Sequence, residues 1–206
     1  MMKRRQFVFG TAFGIAGLTA GLRGNAQAQG GPTPQDVYFD PGNPVLGNPK
    51  GDVTVAEYYD FQCPYCKRDF PMVRDVVAKD GKVRLVMKDW PIFGPPSVYA
   101  AQLSLAAGKL GQQPKFVDTL MAVNGRLTDA GIDSALSGAG FDVARLRDTF
   151  SRNEKELKAV LARNNAQAEA FGFPGTPAYV VGRQFYPGVL DANGLRQAIA
   201  EARKAS

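Results

Sequence analysis

Short β-branched or aromatic runs alternate along the chain with longer stretches of helical period, and their order predicts an architecture. An apolar run rich in Gly and Ala, Phe7 to Ala20, comes first. Val37-Tyr38-Phe39 predicts a short strand, and Asp40 to Gly51 a turn-laden stretch. Val53-Thr54-Val55-Ala56-Glu57-Tyr58-Tyr59 predicts a second strand. Between Lys67 and Lys79, Phe70, Val73, Val77 and Ala78 fall at helical spacing, with Pro71 expected to kink the helix. Asp80-Gly81 then stops the helix or turns a hairpin, and Val83, Leu85 and Met87 alternate with Arg84, Val86 and Lys88 as in a central strand. A Pro-rich loop, Trp90 to Pro96, leads into mostly helical period from Ser97 to Ala170, interrupted at Gly111, Gly125 and Gly138-Ala139-Gly140. Ser151-Arg152-Asn153-Glu154 reads as a capping box, with Glu154 and Lys158 spaced to pair on the exposed side. Ala178 to Val181, a Gly182-Arg183 turn and Gln184-Phe185-Tyr186 predict a hairpin. Asp191 caps a closing helix with Leu195, Ile199 and Ala202 on one face. The order β, β, α, β, helical region, β, β, α describes an α/β protein with a helical subdomain, about 97–170, between the two halves of its sheet.

The first 28 residues have the composition of a targeting segment: a basic start (Lys3-Arg4-Arg5), the apolar run, and a small-x-small cleavage site at Ala26-Gln27-Ala28. Arg4-Arg5-Gln6-Phe7 also fits a twin-arginine signal, and an ordinary secretory leader fits equally well. Residues 29–52 then read as an N-terminal arm with a short strand, and 53–206 as the main domain. Charge changes the picture little. Four of the 25 basic residues and none of the 19 acidic ones lie in the leader, so the formal +6 falls to +2 without it. No basic stripe supports nucleic-acid binding.

Candidate chemistry rests on cysteine. The chain has two, three apart, in Cys63-Pro64-Tyr65-Cys66, and no histidine. Without imidazole, Ser-His-Asp and Cys-His catalysis and nearly all catalytic zinc sites are excluded. In an exported domain large enough to fold unaided, a single close pair points to a reversible disulfide. Cys63 falls at a strand-to-helix junction, where unpaired N–H groups and the helix dipole favour a thiolate. Cys66, one turn on, is expected to be the more buried, resolving thiol, and Pro64 suits a first helical turn. Glu57 is placed to lie beneath Cys66 and, paired with Lys88 of the next strand, to shuttle its proton; a solvated edge-strand salt bridge explains the two as well. Phe61, Tyr65, Phe93, Phe173 and Pro174 are either an apolar rim for unfolded substrates or core.

On these residues the chain resembles the DsbA-like family of periplasmic thiol:disulfide oxidoreductases, of the thioredoxin superfamily, from about Val37 to the C-terminus. The landmarks are Glu57, Phe61-Gln62-Cys63-Pro64-Tyr65-Cys66, Lys88-Asp89-Trp90-Pro91, the helical insertion, and Gly175-Thr176-Pro177-Ala178 before the hairpin. The resemblance implies a thioredoxin-like fold and a cis Thr176–Pro177 peptide facing the disulfide, with Pro64, Tyr65, Thr176 and Pro177 meeting substrate. It implies a periplasmic, monomeric enzyme without cofactor or metal. Its partners would be unfolded exported proteins with cysteines and a membrane redox protein, a DsbB-like oxidant or a DsbD-like reductant. Tyr65 stands where the best-known oxidases of the family carry His, so the expected potential is less oxidising than about −120 mV, nearer −180 to −230 mV. Tyr65 and Thr176 also resemble the isomerase branch, whereas the short arm before Val53 favours a monomeric oxidase, and Cys-Pro-Tyr-Cys matches glutaredoxins, which lack the insertion. Two alternatives of other classes are a structural disulfide, which so short a loop makes a poor staple, and a cysteine-pair metal site, which lacks further Cys or His ligands.

Overall fold

The computed structural model describes residues 31–205, and the segment read as a leader lies outside them. Five strands form one mixed sheet in the order β1-β3-β2-β4-β5: β1 Val45–Gly47, β2 Val53–Tyr59, β3 Val83–Asp89, β4 Ala178–Val181 and β5 Gln184–Pro187. β2 and β3 are parallel, joined by α2 (Pro64–Asp80), and every other pair is antiparallel. Five helices intervene between β3 and β4: α3 Pro95–Lys109, α4 Gln113–Met121, α5 Asp129–Gly138, α6 Val143–Arg152 and α7 Glu154–Ala170. α1 (Pro34–Tyr38) precedes the sheet and α8 (Ala192–Lys204) closes the chain. This is a thioredoxin-like α/β fold.

Alternation along β2 and β3 sends side chains to two different cores. Val55, Leu85, Met87, Tyr179 and Val181 pack with α2 and α8, in a core that continues into the helical layer through Phe61, Phe116 and Leu136. Ala56, Tyr58, Val86 and Val180 face the other way, against α1, Ala168 of α7 and Phe173. Gly81 ends α2 at φ 70°, with its N–H on Val77 O at 3.1 Å, and Gly182 turns the β4–β5 hairpin at φ 61°; both are left-handed positions that glycine fills without strain. Asp191 Oδ1 accepts the Gly194 N–H at 2.7 Å, and Lys158 Nζ donates to Glu154.

Three expectations are corrected. The strand at 37–39 is instead the helix α1, because Thr33 and Asp36 form a reciprocal capping box with Pro34 in the first turn. The first strand is β1, in the stretch read as turns, and it exists through pairing with β3 rather than through its own three-residue pattern. The capping box at Ser151 does not form: α6 runs to Arg152, and Asn153 caps α7 without a side-chain bond, donating instead to Thr149 O at 2.7 Å. α2 runs through Pro71 as a single helix.

Candidate active site

β2 delivers the chain to Asp60, and Asp60 shapes the turn that follows. Its Oδ1 accepts the Gln62 N–H at 2.7 Å, and its Oδ2 accepts the N–H groups of Ile92 and Phe93 at 2.7 and 3.1 Å. One buried carboxylate thus ties the cysteine turn to the loop after β3. Cys63 follows as the N-cap of α2, with extended φ −66° and ψ 118°, and Pro64 occupies the first turn. The Cys63 sulfur accepts the Cys66 N–H at 3.5 Å, taking the place a Ser or Asp oxygen holds in ordinary caps.

Both thiols are free and both are buried, so solvent exposure does not tell Cys63 from Cys66. Hydrogen bonding separates them instead. The Cys63 pKa falls from 9.0 to about 6, first because the Cys66 thiol donates to its sulfur, then through Thr176 and the N–H groups of Cys66 and Tyr65, against the cost of burial. Burial pushes the Cys66 thiol far up, and its bond to Cys63 and the nearby Glu57 push it further. At neutral pH the pair is a thiolate and a thiol sharing one proton between two sulfurs.

Thr176 faces this pair. As a thiol Cys63 donates to Thr176 O at 3.2 Å, while the buried Thr176 Oγ1 has no hydrogen-bond partner. Ionisation removes the donated bond and gives the hydroxyl a partner, since the Thr176 side chain helps hold the thiolate. The Thr176–Pro177 peptide is cis, and Pro177 is buried. Tyr65 projects into solvent at 54% exposure with the Arg68 guanidinium 5.0 Å from its ring centroid.

Glu57 and Lys88 are not brought together. Register pairs Glu57 with Met87 and Tyr179, and Tyr58 with Lys88, so the two side chains leave opposite faces of the sheet. Glu57 lies on the cysteine side at 1% exposure; Tyr179 donates to its Oε1 at 3.5 Å, and its Oε2 has no partner. Burial raises its pKa from 4.5 to about 8. Lys88 lies on the far side, 3.8 Å from Asp40, with its Nζ donating to Asp36 O at 3.5 Å; burial lowers it to about 8. It is part of the anchor of the N-terminal arm, remote from sulfur chemistry.

A second buried acid on the cysteine face is absent from the predicted site. Asp89 accepts from Tyr59 Oη at 2.7 Å and Ser104 Oγ at 3.2 Å, and burial raises it to about 8. Its sequence signals were a carboxylate at an inward position of an apolar strand and its place in Lys88-Asp89-Trp90-Pro91. Of the aromatic candidates, Phe61 and Phe173 are core, while Tyr65 and Phe93 are exposed, joined by Ile92.

A thioredoxin-like oxidoreductase from Silicibacter pomeroyi superposes with a TM-score of 0.81 at 38% identity, over 84% of this chain and 99% of that one. The thiol:disulfide interchange protein DsbA of Bordetella parapertussis is 28% identical over 193 residues, 86% of this chain and 88% of that protein. The Na(+)/H(+) antiporter NhaA 1 of Salinispora arenicola also matches, at 28% over 160 residues, 77% of this chain; the chain spans only 24% of that protein. A family model described as Thioredoxin matches residues 40–201, and the chain belongs to this family as a DsbA-like member.

Proposed function

We propose that the protein is a thiol:disulfide oxidoreductase that passes the Cys63–Cys66 disulfide to cysteines of exported polypeptides in the periplasm. The observation that carries this reading is the free Cys63 sulfur at the N-cap of α2, bonded to Thr176 O at 3.2 Å and to the Cys66 N–H at 3.5 Å, a placement that lowers its pKa to about 6. In the oxidised form, a substrate thiolate attacks the Cys63 sulfur beside Thr176. A substrate–Cys63 disulfide forms, the Cys63–Cys66 bond breaks, and its electron pair goes to Cys66. Cys66 takes up a proton, for which Glu57, uncharged below about pH 8, is the buried donor on the same face. A second substrate thiolate attacks the substrate sulfur and releases Cys63 as a thiolate, so two electrons have moved from substrate to enzyme. A membrane partner, DsbB-like, reoxidises the pair.

The leader-like residues 1–28 and the likeness to DsbA support the periplasmic setting. The antiporter match does not carry ion transport across to this chain, and no helix among the described residues is long and apolar enough to cross a membrane. A second reading, an isomerase or reductase held reduced by a DsbD-like partner, is favoured by Tyr65 and Thr176.

The test combines alkylation and exchange. The rate of Cys63 alkylation against pH is expected to turn at about 6, and the oxidised protein to oxidise a reduced, unfolded client. A midpoint at the ordinary 9.0 together with an inert client excludes the activity. Trapping the pair in cells then separates the readings: mostly disulfide for net oxidation, mostly dithiol for isomerisation.

A further inference from the structure

Beside Cys63 an open groove of about 840 Å³ runs along the first two turns of α2, between the 93 loop and the segment after α4. Its apolar lining is Pro64, Pro71, Phe93 and Met121. Its charged lining is Lys67, Arg68 and Arg126, and no carboxylate lines it. Arg68 is half-engaged, forked on Asp69 at 2.7 and 2.9 Å. Lys67 and Arg126 belong to no ion pair among the described residues.

The walls are braced. Gln62 donates to Phe93 O at 3.1 Å and accepts the Leu127 N–H at 2.9 Å, tying both sides of the groove to the cysteine turn. Lys67 Nζ donates to Val123 O at 2.7 Å, which holds its charge at the rim. A braced cleft lined by three cations, of which only Arg68 has a carboxylate partner, favours a negatively charged occupant. Its position decides which one. Lys67 and Arg68 lie one turn, about 5–6 Å, along the helix from Cys63. An extended segment disulfide-bonded to Cys63 advances about 3.3 Å per residue, so side chains about two or three residues from its cysteine reach these cations.

We infer that this groove is a subsite for Asp and Glu side chains flanking the reactive cysteine of a polypeptide substrate. The inference rests on the exchange activity proposed above and specifies which clients react fastest. The step it accelerates is the attack of the substrate thiolate on Cys63, with Cys66 as the leaving thiolate.

The test uses the oxidised full chain and three short peptides, each with one cysteine flanked by Asp, Ser or Lys. Rates are corrected for the thiolate fraction of each peptide, since neighbouring charges shift its thiol. The Asp peptide is expected to react about three- to tenfold faster than the Ser peptide, and the Lys peptide more slowly. The preference is expected to shrink between about 0.05 and 0.5 M salt. Arg126→Glu, at an exposed loop position, is expected to shrink the preference, since it takes the lining charge from three cations to two cations and one anion. Equal corrected rates for the Asp and Ser peptides, or a preference indifferent to salt, overturn the subsite and leave the exchange activity standing. Glutathione carries two carboxylates near its thiol; faster reaction with it than with the Asp peptide overturns the assignment to polypeptides. If no peptide reacts, the exchange activity itself fails and takes this inference with it.

Discussion

At the scale of single residues the site is a set of protons held in unusual places. Cys63 gives its proton up near 6, Cys66 keeps its own, and Glu57 keeps a carboxyl proton to about 8. Glu57 is therefore an acid at neutral pH and a base only above that. In the forward reaction it protonates the departing Cys66; in the reverse it must be ionised to activate Cys66 against a mixed disulfide. Glu57→Gln is expected to leave Cys63 alkylation nearly intact but to slow Cys66-dependent resolution by about tenfold to a hundredfold. It is also expected to remove the rise of that rate through about pH 8. A resolution rate and pH profile matching the native protein in stopped-flow assays would take Glu57 out of the chemistry. The cysteines were legible because their spacing and flanking patterns are local. The Glu57–Lys88 pair was not, because strand register decides which face a residue takes. Shifting the pairing by one position moves a side chain across the sheet, and nothing in either strand alone fixes that shift.

At the scale of elements, local pattern succeeded where it was long and failed where it was short. β2 and β3, each of seven residues, read as strands directly. α1, of five, did not, since Val37 and Tyr38 favour extended backbone while Thr33 and Asp36 cap a helix. Tertiary contacts then decide where this arm lies. Tyr38 Oη donates to Gly182 O at 2.7 Å, Gln167 Nε2 to Asp36 O at 3.0 Å, and Arg163 forks onto Asp40 at 2.7 and 3.0 Å. Under that fork lies the fully buried Lys88, with Asp40 as its ion-pair partner. Its lowered pKa records the cost of burial that Asp40 offsets only in part. Removing one partner of a buried pair strands the other, so Asp40→Asn is expected to destabilise the fold by about 3 kcal/mol. Adding Lys88→Met is expected to restore most of the loss. Chemical denaturation of the single and double variants measures both; a single-variant change below about 0.5 kcal/mol would mean the pair is already hydrated and the arm is anchored elsewhere.

At the scale of the whole molecule, the two redox forms differ by one displaced titration. Folded Cys63 ionises at about 6 and an ordinary thiol at 9.0, so between those values the unfolded reduced chain holds a proton that the folded one has lost. A state that binds fewer protons gains as pH rises, and the reduced fold gains about 1.4 kcal/mol per pH unit across this window. The gain is complete above 9.0 and disappears as pH falls through about 6. Cys66 contributes nothing below 9.0, because it stays protonated whether the chain is folded or not. Asp89 and Lys88 titrate in both redox forms and cancel from the difference. Glu57 nearly cancels too, since burial rather than the Cys63 charge dominates its shift. Denaturing the oxidised and reduced proteins side by side at about pH 5.5, 7 and 8.5 is expected to show the reduced form gaining on the oxidised one at each step. By the chain-entropy relation a disulfide closing so short a loop stabilises the oxidised fold by about 2 kcal/mol, which the gain overtakes at about pH 7.5. Folding then favours the dithiol, and the same cycle read backwards drives the disulfide out onto a client. Parallel stability curves for the two forms would show that the fold exerts no such push.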